Sequence, residues 1–198
     1  PESEQELWEL DQRINARGVL IDKAFVDSAI YIDVGVRNEL TKEAQEISGL
    51  DNPNSVQQLL DWLQSETGED IDSLRKEDVK DLLQNAGSDV VRRMLELRLE
   101  LSKASVKKYV AMIMSMCDDN RVRGTMQFYG ASRTGRWAGR LIQVQNLPRN
   151  HITMLDQARE YVLHRKIDHL KYVFGSVSDT LSQLIRTAII PAPGHVFL

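Results

Sequence analysis

Two long stretches of this chain carry apolar residues at helical spacing, and they decide what it can fold into. Val90, Met94, Leu97, Leu101 and Ala104 are spaced 4, 3, 4 and 3, which lines one face of an α-helix. The pattern predicts a helix from Ser88 that continues through Met116 and stops at Asp118-Asp119-Asn120. The earlier stretch places Phe25, Ala29, Ile32, Val36 and Leu40 on one face. Asp22 is its predicted N-cap, and its end falls near Ile47. Between them, Gly49 to Pro53 and Gly68 to Asp72 read as loops. Ser55 with Gln58 forms a predicted capping box ahead of Leu59, Leu60 and Leu63, and a short helix leads to Leu83. The expectation is a long antiparallel helix pair carrying shorter helices at its tip.

The texture changes after Asn120. Val122, Thr125, Met126, Phe128 and Tyr129 read as a β-strand or hairpin arm, and Gly124 inside the run marks a bulge or a close backbone approach. Residues 131–150 lack periodicity and are rich in Gly, Arg, Gln and Asn, which predicts an extended segment whose side chains face something other than a core. Helical spacing returns over Met154–His164, Lys166–Phe174 and Val177–Ile189. Pro191 to Gly194 is a predicted turn, and His195-Val196-Phe197-Leu198 reads as the start of a buried strand. Ending in mid-strand, the chain is expected to be a piece of something longer. The methionines at 112, 114 and 116 read as core filling. The expected class is therefore mainly α (α+β), with one small antiparallel β patch.

Composition narrows the function classes. Over 198 residues, 42% are apolar and 27% charged, as in soluble globular chains. No run of about 18 apolar residues exists to span a bilayer, and the N-terminus lacks the pattern of a signal peptide, so a soluble intracellular chain without membrane partners is expected. The single cysteine, Cys117, rules out an internal disulfide framework and a cysteine-based zinc cluster. His151, His164, His169 and His195 have no ligand spacing, so no metal site is expected in this chain.

Net charge is only −4, but it is unevenly spread. Residues 1–102 hold 11 Lys+Arg against 23 Asp+Glu, residues 103–149 hold 9 against 2, and residues 150–198 hold 5 against 4. A basic block inside an acidic chain is either a surface for a polyanion or a solvated basic face. Charge alone leaves both readings open.

The segment Ser132 to Arg149 weighs toward a polyanion. It packs Arg133, Arg136, Arg140 and Arg149 with the amides of Gln143, Gln145 and Asn146. Arginine offers a planar donor fork suited to phosphates and base acceptors, and the amides both donate and accept. Gly135 and Gly139 remove bulk and admit a close neighbour. Such a segment suits a strand lying along a nucleic-acid groove; the competing reading, an arginine loop in an ion-pair network, lacks acids nearby.

Thr134-Gly135-Arg136, eight residues, then Gln145-Asn146-Leu147-Pro148 resembles the thumb-to-palm motif of family A DNA polymerases, the bacterial DNA polymerase I type. The variant Trp137-Ala138-Gly139-Arg140 is similar to the bacteriophage and prophage branch. Arg17 to Asp22 is similar to the stretch that opens the polymerase unit, Asn52-Pro53-Asn54-Ser55 with Gln58-Leu59 to the thumb-tip motif, and Leu184 to Ala188 through Val196 to the lead-in to the first catalytic palm strand.

The resemblance implies residues 1–22 as the palm-proximal start of the polymerase unit, 23–118 as the thumb, and 119–198 as the N-terminal palm, cut before the first catalytic aspartate. It implies that Arg136, within the motif begun by Thr134, reaches the minor groove at the primer terminus. There acceptors are alike for all base pairs, so an arginine tests geometry without reading sequence. Gln143 (usually Asn in the family), Gln145 and Asn146 hold primer and template. Asn54 and Ser55 touch the DNA backbone at the thumb tip, where a helix N-terminus favours phosphate; a plain N-cap is the other reading of Ser55. Lys103, Ser105, Lys107 and Lys108 lie where the thumb grips the duplex, although Glu100 is placed to pair with Lys103. Arg133, Arg140 and Arg149 are candidates for phosphate.

The implied function is a primer-template-binding fragment of a DNA-directed DNA polymerase in replication or repair, in the cytoplasm of a bacterial host. The resemblance implies no catalytic residue, cofactor or nucleotide site in the fragment. Mg2+, deoxynucleotides, the fingers and the remaining palm belong to the full-length enzyme, and the fragment alone should be inactive. The alternative is a non-catalytic helical module that binds RNA or single strands, though such binders interleave stacking aromatics and only Phe128, Tyr129 and Trp137 lie near the arginines.

Overall fold

In the computed structural model, which describes residues 2–103 and 106–197, helix α1 (Glu2–Arg17) ends at Gly18. That glycine is left-handed (φ +62°), and a Cβ there would lie 2.5 Å from the Val122 carbonyl oxygen, so both conformation and space require it. Strand β1 (Val19–Ile21) follows. Asp22 then caps helix α2 (Lys23–Ser48): its Oδ1 accepts the Phe25 N–H at 3.1 Å. Helices α3 (Val56–Thr67), α4 (Lys76–Asn85) and α5 (Asp89–Leu101) come next, with Ser88 accepting the Val90 N–H to start α5. Helix α6 (Lys107–Ser115) precedes four short strands, β2 (Arg121–Val122), β3 (Met126–Ala131), β4 (Arg136–Gly139) and β5 (Ile189–Ile190). Between β4 and β5 run α7 (Leu155–Leu163), α8 (Ile167–Phe174) and α9 (Val177–Leu184). Nine helices and two small antiparallel sheets among the described residues make the fold mainly helical, α+β. No helix of the described residues is long and apolar enough to cross a membrane.

Backbone contacts divide the chain into two compact units, Asp33–Ala104 and Pro1–Ile32 with Ser105–Leu198. In the first, Ala44, Leu59, Leu63, Ile71, Leu74, Val79, Val91, Met94, Leu95 and Leu97 form one buried cluster. Arg37 reaches the carbonyls of Leu101 and Lys103, and Arg93 pairs with Glu43 at 2.7 Å. As one helix advances its partner recedes, so the C-terminal part of α2 and α5 are antiparallel, as expected. The capping box is only half formed. Ser55 accepts the Gln58 N–H, but the Gln58 side chain turns to the Asn52 N–H at 3.2 Å.

The predicted second long helix is not continuous. α5 stops at Leu101 and α6 starts at Lys107. In an unbroken helix the Leu101 and Lys103 carbonyls would accept N–H groups four residues on. Here the Arg37 guanidinium takes both, Leu101 at 2.8 Å. No Gly or Pro marks the break.

In the second unit, β1 lies at the centre of a three-stranded sheet, β2-β1-β5, with Val19 opposite Val122 and Ile21 opposite Ile189. Phe25, Ile32, Tyr109, Met112, Leu170 and Leu181 are buried in this unit. The Tyr109 hydroxyl donates to the Leu181 carbonyl at 2.8 Å, which lets a buried phenol keep its hydrogen bond. Met112 is core, as predicted, but Met114 is 81% exposed because it lies off the buried face set by Tyr109 and Met112.

Three further expectations are corrected. The apolar run 122–129 is two strands in two sheets, split at Gly124, whose φ is +67°; the glycine separates the strands and is not a bulge within one. Helix α9 ends at Leu184 and a 3-10 turn leads into β5 at Ile189. His195 to Phe197 form no strand: Pro191 and Pro193 lack N–H donors, Gly194 is left-handed, and Val196 and Phe197 are exposed. The turn itself forms, with the His195 N–H donating to the Ala192 carbonyl at 2.9 Å.

Candidate nucleic-acid interface

Residues 131–150 are not one extended segment. β3 and β4 form a hairpin, with Met126 opposite Gly139 and Ala131 opposite Arg136. The register slips between Gln127 and Ala131, where Tyr129 adopts φ +52°, so the arm carries a bulge that bends and twists it. The turn is tied by the N–H groups of Thr134 and Gly135, which both donate to the Ala131 carbonyl, at 3.0 and 2.9 Å. The glycines admit neighbours from this chain itself. A Cβ at Gly135 would lie 2.8 Å from the Tyr129 ring, and one at Gly139 would overlap the Gln145 carboxamide.

Beyond Gly139 the chain is pinned at two points by the buried side chains of Ile142 and Leu147. The backbone turns into this stretch at left-handed Leu141 (φ +55°), and between the two anchors it loops through left-handed Gln143 (φ +49°) and a 3-10 turn over Val144–Asn146. Left-handed non-glycine residues each cost roughly 1–2 kcal/mol, and such strain gathers at functional sites. Asn146 donates to the Gln143 side-chain oxygen at 3.2 Å. Arg186, a residue the sequence did not single out as a site holder, closes the exit: Nε and Nη2 donate to the Leu147 carbonyl at 3.0 and 2.6 Å.

This loop presents its cations outward. Arg133, Thr134, Arg136, Arg140, Gln145, Asn146 and Arg149 are exposed, and Gln143 is half-buried. The side chains of Arg133, Arg136 and Arg149 form no ion pair or hydrogen bond with any described residue. Arg140, just beyond β4, donates to the Gln127 carboxamide oxygen on β3. Lys107 is exposed at the start of α6. Lys108 donates to the Ile142 carbonyl at 3.4 Å, which joins α6 to the loop. Among the described residues, then, the same unit brings together Lys107, Lys108 and the candidates from 133 to 149.

Asn54, Ser55 and Lys103 belong to the Asp33–Ala104 unit. Asn54 is exposed with its N–H on the Asn52 side chain at 3.1 Å, and Ser55 is the N-cap of α3. Lys103 pairs with Glu100 at 3.2 Å, as their spacing allowed. Ser105 lies outside the described residues.

Not every arginine of the basic block faces outward. Arg121 donates to the Arg17 carbonyl at 3.1 Å and Arg123 to the Ala16 carbonyl at 2.9 Å, so both fasten β2 to the end of α1. Arg123 also pairs with Asp119, whose carboxyl this hydrogen bond holds down at a pKa of about 2. Asp119 thus serves the turn, as predicted. Asn15 supplies a further anchor: its carboxamide both donates to the Met126 carbonyl and accepts the Met126 N–H, at 2.9 and 3.0 Å. A lone Asn on a helix gave no signal of that role.

Among the described residues no three His, Cys, Asp or Glu side chains come together as a metal site. No family model matches the chain, and no solved structure matches it. It is 52% identical over 196 residues to a DNA polymerase of Bacillus phage SP02, an alignment covering 99% of this chain and 30% of that protein. The chain therefore spans less than a third of the length of the curated relative to which it is similar.

Proposed function

We propose that this chain is the thumb and first palm portion of a family A DNA-directed DNA polymerase of phage or prophage type, and that it grips primer-template DNA in replication or repair. Likeness to a phage DNA polymerase over nearly the whole chain supports the reading. In it, 23–118 is the thumb and 119–198 the beginning of the palm. The observation that carries the DNA contact is three exposed arginines, Arg133, Arg136 and Arg149, without acid partners among the described residues, on a hairpin and loop braced from behind by Ile142, Leu147 and Arg186.

Arg136 opens β4 at the hairpin turn. There its donor fork reaches minor-groove acceptors of the terminal pair, while Arg133 and Arg149 take phosphates. Gln145, Asn146 and Gln143 present amides beside it, the last two already bonded to each other. The thumb-tip residues Asn54 and Ser55, with Lys103, Lys107 and Lys108, add backbone contacts. Divalent metal would supply the phosphoryl-transfer chemistry of the whole enzyme; the described residues hold no cluster fit for it, so no step is assigned to a cation here.

The test is Arg136→Ala in the parent polymerase. Primer extension is expected to fall about 100-fold, the scale of losing one transition-state donor, with a much smaller loss of duplex affinity. Unchanged extension would contradict the role. A chain that binds RNA or single strands at 133–149 in preference to primer-template would support the non-catalytic module instead.

A further inference from the structure

The corner between α7 and α8 carries a second, separate constellation. Arg165 adopts φ +52° at the position that closes α7: the Lys166 N–H reaches back to the Tyr161 carbonyl at 2.8 Å and the Arg165 N–H to the Val162 carbonyl at 3.0 Å. Glycine is the residue of least strain at such a left-handed cap, so an arginine here is not needed for the turn. Its guanidinium lies over the Tyr31 ring, 4.2 Å from the centroid, and Tyr31 remains 55% exposed. The Lys166 ammonium stands 5.7 Å from the Tyr161 ring, and that ring packs against His169 at 5.2 Å. Three residues on, Tyr172 is 91% exposed, on the side of α8 that His169 occupies. Neither Arg165 nor Lys166 pairs with a carboxylate among the described residues, and Asp168 is the one acid between 164 and 172.

Cations alternating with accessible rings are what a flexible polynucleotide needs. Phosphates take the charges while unpaired bases stack on the rings, and a base-paired duplex cannot offer its faces. We propose that the α7–α8 corner is a binding site for single-stranded nucleic acid, with Arg165 and Lys166 on phosphates and Tyr31 and Tyr172 as stacking platforms. This site goes beyond the polymerase reading and uses none of the residues assigned to primer-template.

The left-handed cap supplies a clean variant. Arg165→Gly removes the side chain while suiting the backbone, so the 198-residue chain should keep its melting temperature. Anisotropy with labelled oligothymidine of twelve nucleotides is expected to show about tenfold weaker binding for Arg165→Gly combined with Tyr172→Ala, the scale of one lost base stack. Blunt-duplex affinity should be unchanged by that pair and lowered by Arg136→Ala. Oligothymidine binding that ignores the corner variants, or that falls only with Arg136→Ala, overturns the proposal and leaves the primer-template reading standing. Loss of blunt-duplex binding in the corner variants at full melting temperature also overturns it.

Discussion

Gly139 and the Gln145 carboxamide occupy adjoining space: a Cβ on the glycine would sit inside the amide group. The end of the hairpin thereby sets where an exposed amide of the loop points. Gly139→Ala is expected to push Gln145 out of place and weaken primer-template binding about 2- to 10-fold, the worth of one net hydrogen bond. Gln145→Ala should do the same, and the double variant should be no worse than either alone. Additive losses in titrations of the three variants would show that the glycine acts elsewhere.

Arg37 is expected to govern the stability of the Asp33–Ala104 unit. It takes the two carbonyls at the end of α5 and pairs with Asp33 at 2.9 Å. Burial pushes the Asp33 carboxyl up and Arg37 opposes that shift. Arg37→Met keeps the stem but leaves a part-buried carboxylate and two carbonyls without donors, at a cost of roughly 2–4 kcal/mol. Urea unfolding checks this, and a change under about 0.5 kcal/mol, the usual size of a surface substitution, would contradict it.

The Asp119–Arg123 pair gives a pH prediction. Because the folded carboxyl sits at about 2, below its ordinary 3.8, its contribution to stability is present above about 4 and fades as pH falls through 2. NMR titration should find that low midpoint, and Arg123→Gln should return it toward the ordinary carboxylate range. An Asp119 midpoint that does not respond to the substitution would remove Arg123 as its cause.

Helical periodicity disclosed α2, α5 and the later helices because a buried face repeats every 3.6 residues whatever it packs against. The break between α5 and α6 was invisible, since its signal is Arg37, 64 residues before Leu101. The site was legible as a composition of arginines and amides, and its shape was not. Which of Arg121, Arg123, Arg136 and Arg149 turns outward depends on carbonyls of Ala16 and Arg17 more than a hundred residues away. Gly135 and Gly139 announced a close approach, but only the folded chain shows that Tyr129 and Gln145 make it.

In the proposed reading, the hairpin and loop from 133 to 149 grip DNA through Arg133, Arg136 and Arg149. The most direct test is fluorescence anisotropy of the 198-residue chain with primer-template across a salt series. Each neutralised phosphate contributes about −0.9 to the log–log slope, so Arg133→Ala with Arg149→Ala should flatten it by about 2. Arg136→Ala should weaken binding with little change of slope, as befits a groove contact. A folded chain whose affinity and slope are untouched by all three substitutions would contradict the account.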